Sequence, residues 1–206
     1  MYKRQVKLQR VFCLMAIIAS VLVFAYSLGL VTDLYDSLYT AMYNPNDYDD
    51  SAVTGARIFY DIQPFNNQLM LAGLGLIILS LGLFLTNTHV RRRYYIGNYV
   101  ATGVWSVAAL AVTVWGHIQV ETFKLQYLTT VNFEELKTYA ERNKSYYTES
   151  TFWFDAHYLV LGVLLLTAVI LVGNVIWKIS LMKQEAALLD GSGVQAESAS
   201  AAKTAL

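Results

Sequence analysis

The sequence predicts an all-α, polytopic membrane protein: an antiparallel bundle of four transmembrane helices under a small outer cap, formed by two long loops that contain short helices. Three observations predict it. The first is composition. Only 15% of the 206 residues are charged and 56% are hydrophobic, against about 25% and about 45–50% in an ordinary soluble domain. The second is the presence of four long apolar stretches without Asp, Glu, Lys, Arg or Pro, at about 11–31, 67–88, 99–120 and 156–177. A span needs roughly 20 apolar residues to cross about 30 Å of hydrocarbon. Such runs must be helical, because unsatisfied backbone groups are too costly in lipid. The third is the distribution of positive charge, which alternates between segments as cytoplasmic retention of Lys and Arg requires.

Lys3, Arg4, Lys7 and Arg10 precede span one, Arg91, Arg92 and Arg93 join spans two and three, and Lys178 and Lys183 follow span four. All fall on one side if both termini are cytoplasmic, which makes the expected location the cell membrane, multi-pass. The neutral total then resolves by side. The inner segments hold ten Lys and Arg with three Asp and Glu, a net +7, and the outer segments hold five and twelve, a net −7. Neutrality excludes nucleic-acid binding by bulk charge.

Span one is read as a retained helix rather than a cleaved signal peptide, since its 21 apolar residues exceed the roughly 7–15 of a signal h-region. Cys13 lies within it. A single cysteine excludes an intramolecular disulfide and a Cys-based zinc site, and Cys13 reads as a small buried apolar residue. The first outer loop, about 32–66, opens with Leu34, Tyr35, Leu38, Tyr39, Met42 and Tyr43, an i, i+3/i+4 pattern that predicts a helical continuation. Asn44-Pro45-Asn46-Asp47 ends it. The second outer loop, about 121–155, contains Asn132-Phe133-Glu134-Glu135, a capping-box pattern in which Asn132 caps a helix and Glu135 returns the bond. That helix should present Leu136, Tyr139 and Ala140 inward and end near Asn143-Lys144-Ser145. Residues 1–183 form a single four-span domain. The Ala-, Ser- and Gly-rich stretch 184–206 reads as a flexible cytoplasmic tail, disordered from about 190.

Small residues let helices approach in lipid. Span three carries Thr102, Ser106, Ala109, Thr113 and Gly116, and span two carries Ala72, Gly75 and Gly82, which predicts closest contact between these two. Spans one and four carry Ala16, Ser20 and Ser27, and Gly162 and Gly173. Asn174 is expected to hydrogen-bond between helices.

His117 ends span three and His157 begins span four, so their imidazoles should approach at the outer boundary near Asp155. Two His and one acid are metal-ligand types, and His117, His157 and Asp155 are the metal candidates. Interfacial anchoring is the simpler role, and no HExxH spacing supports a catalytic centre. Asp47, Asp49 and Asp50 fail the EF-hand pattern, with Ala52 where glycine is needed and Ile58 where the bidentate Glu is needed. Arg91, Arg92 and Arg93 suit topology or lipid headgroups at about 1 kcal/mol per charge. No Walker, GxGxxG, GxSxG or paired-cysteine motif occurs, so no cofactor and no catalytic residue is expected, and an enzyme is the less favoured class. Nine tyrosines lie in the two outer loops, and Tyr is enriched at recognition surfaces. Tyr35, Tyr39, Tyr43, Tyr48, Tyr146 and Tyr147 are the partner-binding candidates. The expected function is a non-catalytic accessory or scaffold subunit that docks a protein partner or a second copy, in contact with membrane lipids and not with nucleic acid. The alternative is a transport or channel component; a membrane enzyme or metal or pH sensor using the two histidines stands third.

Overall fold

The computed structural model describes residues 2–30, 37–41, 52–88 and 92–204. Among these residues the fold is all helical: α1 Tyr2–Gly29, a 3-10 turn Tyr39–Ala41, α2 Ile58–Asp61, α3 Gln63–Thr88, α4 Arg92–Thr130, α5 Phe133–Asn143 and α6 Phe152–Thr204. Four segments are long and apolar enough to cross a membrane: Lys7–Gly29, Ile58–Asn87, Ile96–Thr130 and Phe152–Gln184. Their outward faces are apolar too, with Ile18 59%, Ile78 69%, Val107 69% and Val169 62% exposed. A water-facing helix would carry charge there. The chain therefore has the make-up of a multi-pass membrane protein.

Each long helix packs on two others, α1 on α3 and α6, and α4 on α3 and α6, so the helices are ordered 1-3-4-6 around a common core. Trp105 of α4 is fully buried there and donates from Nε1 to Ser20 Oγ of α1 at 3.3 Å. Ala16, Ser20 and Ser27 of α1, and Thr102 and Ala109 of α4, face this interior as their spacing predicts. Gly116 meets Leu161 of α6. The expectation of closest contact between spans two and three is corrected, because α3 packs most extensively on α1. Gly73 is the reason: a Cβ there would lie 2.9 Å from the Phe24 Cα and N atoms, whereas one at Gly75 or Gly82 would meet nothing. The i, i+3/i+4 count of small residues finds a stripe but cannot say which face of the helix a neighbour takes. Gly162 and Gly173 also point away from the core. Asn174 is buried and donates from Nδ2 to Gln9 Oε1, an interhelical bond of the expected kind.

The helices exceed the spans. α3 starts at Gln63 with Pro64 in its first turn, where a missing N–H costs nothing. α4 runs to Thr130, so residues 121–130 are helix rather than loop. Gln, Glu, Lys and Leu there are good helix formers with no Gly or Pro among them. α6 continues through Thr204, past the point where flexible chain was expected. Ala, Gln and Glu favour helix intrinsically, which the compositional argument for disorder leaves out of account.

Outside the spans the two connections are stitched together. Asn132 N donates to Thr54 O at 3.0 Å, and Thr54 N donates to Glu135 Oε2 at 3.0 Å. Asn132 caps α5 as predicted, its Oδ1 accepting from Glu135 N at 3.2 Å. The second half of the capping box is corrected. Glu135 does not return the bond to Asn132 but is taken by Thr54 from the other connection. α5 buries Leu136 and Ala140 and ends with Lys144 in the left-handed region at φ 53°, where Ser145 N donates to Ala140 O at 3.1 Å.

The Thr54 bond makes this cap acid-sensitive. The Thr54 N–H holds the Glu135 carboxyl below its ordinary value, helped by the Thr54 hydroxyl and Asn132. A lowered folded-state pKa contributes stability that is fully present above the unfolded value of about 4.3 and lost as pH falls from there through the lower folded-state value. Amide exchange at Thr54, relative to its intrinsic rate, should therefore accelerate as pH falls below the ordinary carboxylate range. In Glu135→Gln, which has no charge to lose, that acceleration should vanish; an unchanged acid dependence would rule the bond out as its source.

Candidate functional site

The halves of α4 and α6 nearer α5 carry a polar cluster set by helix geometry. His117 and Glu121 are four residues apart on α4 and so share a face. His157 and Tyr158 open α6 on the facing helix. His117 Nδ1 lies 2.9 Å from His157 Nε2, with ring centroids 5.1 Å apart, so the two imidazoles meet as the antiparallel placement predicts. His157 is fully buried. Its Nδ1 lies 2.5 Å from Phe154 O. A carbonyl can only accept, so Nδ1 of His157 carries the proton and Nε2 presents its lone pair. Hence His117 Nδ1–H is the donor in the 2.9 Å contact.

Glu121 completes the group. Its Oε1 sits 3.7 Å from His157 Nε2 and accepts from Tyr158 OH at 2.8 Å. Ligand atoms of His117, Glu121 and His157 all lie within 4.8 Å of one another. Asp155, the acid expected beside the histidines, is placed elsewhere: its carboxylate takes Lys124 Nζ at 2.5 Å and Thr151 Oγ1 at 2.7 Å. Two residues before His157 is about 200° around the helix, so Asp155 and His157 point apart. The i, i+4 pairing of His117 with Glu121 was legible in the sequence, provided that α4 is known to continue past residue 120.

The predicted recognition residues divide. Tyr35, Tyr43 and Tyr48 lie outside the described residues, as do Asp47, Asp49, Asp50 and Arg91. Arg92 and Arg93 begin α4, but their side chains lie outside the described set. Tyr39 is half-buried, packing on Phe59 at 5.6 Å between centroids. Tyr147 is half-buried and donates to Glu149. Tyr146 is exposed. Two other tyrosines hold the cap itself: Tyr127 is fully buried and donates to Thr148 O at 3.3 Å, and Tyr139 OH donates to Thr40 O at 2.5 Å.

A second feature is an open apolar groove of about 470 Å³ along α4 and α6, with Ser106, Leu110, Ala168, Val172 and Gly173 among its walls. No protein-family model matches the chain, and neither a curated protein nor a solved structure matches it.

Proposed function

We propose that this chain is a non-catalytic accessory or scaffold subunit of the membrane, with both termini cytoplasmic, that docks a partner's transmembrane helix. The observation that carries the reading is the groove between α4 and α6. Leu165 to Ile176 line one wall, a length of about 17 Å at 1.5 Å per residue. Ser106, Ala168 and Gly173 keep it shallow-sided, and small residues are what let a second helix approach in lipid, where packing replaces the hydrophobic drive. The charge split of +7 inside and −7 outside supports the orientation. The cap adds an acidic, aromatic platform above the groove, where Tyr146 is exposed.

Filling the groove tests this. Purified from its own membranes in mild detergent, the chain should bring a stoichiometric second polypeptide or a second copy, and Gly173→Leu should release it while leaving the thermal midpoint unchanged. A lone monomer in both proteins would overturn the reading.

A second reading, a transport or channel component, draws on one observation. Gln5, Gln9, Asn98, Asn174 and Lys178 are all buried toward one end of the four helices, where polar side chains mark ion or substrate paths in membrane proteins. Proteoliposomes that pass no ion or small solute would exclude it.

A further inference from the structure

We propose that His117, Glu121 and His157 form a divalent transition-metal site, of the zinc class, that ties together the halves of α4 and α6 nearer α5 and keeps one coordination position open. The donor set is two imidazoles and one carboxylate, the three-ligand set of zinc sites that leave the fourth position to water or another ligand. Hard cations such as calcium and magnesium seek oxygen, so two nitrogen donors select against them.

The distances fit. Two ligands held 2.0–2.1 Å from a tetrahedral ion stand about 3.3–3.4 Å apart. Here the His117 Nδ1 to His157 Nε2 distance is 2.9 Å and the His157 Nε2 to Glu121 Oε1 distance is 3.7 Å. These two gaps need to change by about half an ångström or less, and the third, between the His117 and Glu121 ligand atoms, lies within 4.8 Å and closes by up to about 1.5 Å. His117 and Glu121 sit at the surface and can supply that movement, while buried His157 stays fixed.

The supporting contacts are also of the kind a metal site uses. A ligating histidine almost always donates its second ring N–H to a carbonyl or carboxylate, which fixes the tautomer and orients the ring. His157 does so through Nδ1 to Phe154 O, leaving Nε2 as the ligand. Tyr158 OH, bonded to Glu121 Oε1 at 2.8 Å, orients the carboxylate in the same way. The ion takes the place of one proton. That proton leaves His117 Nδ1 and is carried instead on His117 Nε2 of the same neutral ring, so binding releases no net proton from the pair. Because α4 and α6 belong to different spans, the ion bridges them. The site is independent of the groove, which lies further along the same two helices.

The test uses the full chain in detergent, purified through a tag that contains no histidine. Zn2+ is added, excess is removed by dialysis, and bound metal is measured by elemental analysis. Co2+ is titrated in parallel and followed by its visible absorption, which reports a low-coordinate nitrogen and oxygen environment. One metal per chain is expected. His117→Ala and Glu121→Gln, at surface positions that do not threaten folding, should each weaken binding by at least about tenfold. Tyr158→Phe should weaken it less. Substoichiometric zinc in the wild type, or equal retention by the folded His117→Ala, Glu121→Gln double variant, would overturn the site. If Ca2+ competes with Zn2+ at comparable concentration, the assignment to the zinc class fails.

Discussion

Replacing Gly55 by alanine should destabilise the cap by at least about 2 kcal/mol, because two penalties coincide. Gly55 has φ +82°. A residue with a Cβ pays roughly 1–2 kcal/mol to adopt that region. The same Cβ would stand 2.2 Å from Thr130 O, 2.5 Å from Thr130 C and 2.8 Å from Val131 Cα. These are backbone atoms at the end of α4, so no rotamer change relieves the contact. Relief requires moving residue 54 away from α4, and residue 54 makes two of the bonds that join the connections, from Asn132 N and to Glu135 Oε2. Gly55→Ala should therefore release amide protection at Thr54 and Asn132 together and lower the thermal midpoint. Spans α1 and α3 should keep their slow exchange, since the damage is confined to the cap. Unchanged protection at both amides would show that the two connections do not meet at Gly55.

The role of Gly55 shows where sequence reading stops. The Asn132 cap was legible because its partner is three residues away, and helix N-termini impose that spacing. The partner of Glu135 was not, because it comes from Thr54, 81 positions earlier. Local rules supply a donor inside the same capping box, and tertiary contact replaced it. The spans were legible for a related reason: length and hydropathy are set by the bilayer, an external constraint that every crossing helix meets independently.

Their partners are a different matter. Ala72, Gly75 and Gly82 are small for no neighbour that the structure shows close by in the case of the two glycines. The face that α3 turns toward α1 is instead marked by Gly73. In the candidate metal site the two imidazoles were predictable from topology alone. The acid beside them depended on helix phase, which put Glu121 on the His117 face and turned Asp155 toward Lys124. Tyrosine was the least legible feature. Tyr127 and Tyr139 bury or half-bury their rings and place their hydroxyls on backbone carbonyls, which is a folding role. Exposed Tyr146 is free for recognition by position. Composition cannot separate these uses, because the same amphipathic side chain serves both.

Gly73 carries the other large expected effect, and its sign distinguishes it from its neighbours. In a helix interior, Gly→Ala ordinarily stabilises by up to about 1 kcal/mol, through lower backbone entropy in the unfolded chain. At Gly75 and Gly82 an added Cβ meets nothing, so Gly75→Ala and Gly82→Ala should be neutral or stabilising. At Gly73 the added Cβ would lie 2.9 Å from both Phe24 Cα and N and 3.1 Å from Phe24 Cβ. The obstructing atoms belong to the α1 backbone and the root of its side chain, so the two helices must separate. Overpacking of this kind costs about 1–3 kcal/mol. Separation also strains the contact beyond it, because α1 carries Ser20, the acceptor for the fully buried Trp105. Unfolding each variant by a denaturing detergent in mixed micelles, read by tryptophan fluorescence, should place Gly73→Ala below the wild type and the other two at or above it. The Trp105 emission should shift in Gly73→Ala even before unfolding. Equal midpoints for all three alanine variants would mean that α1 and α3 do not touch at Phe24, and the pairing of these two helices would have to be redrawn.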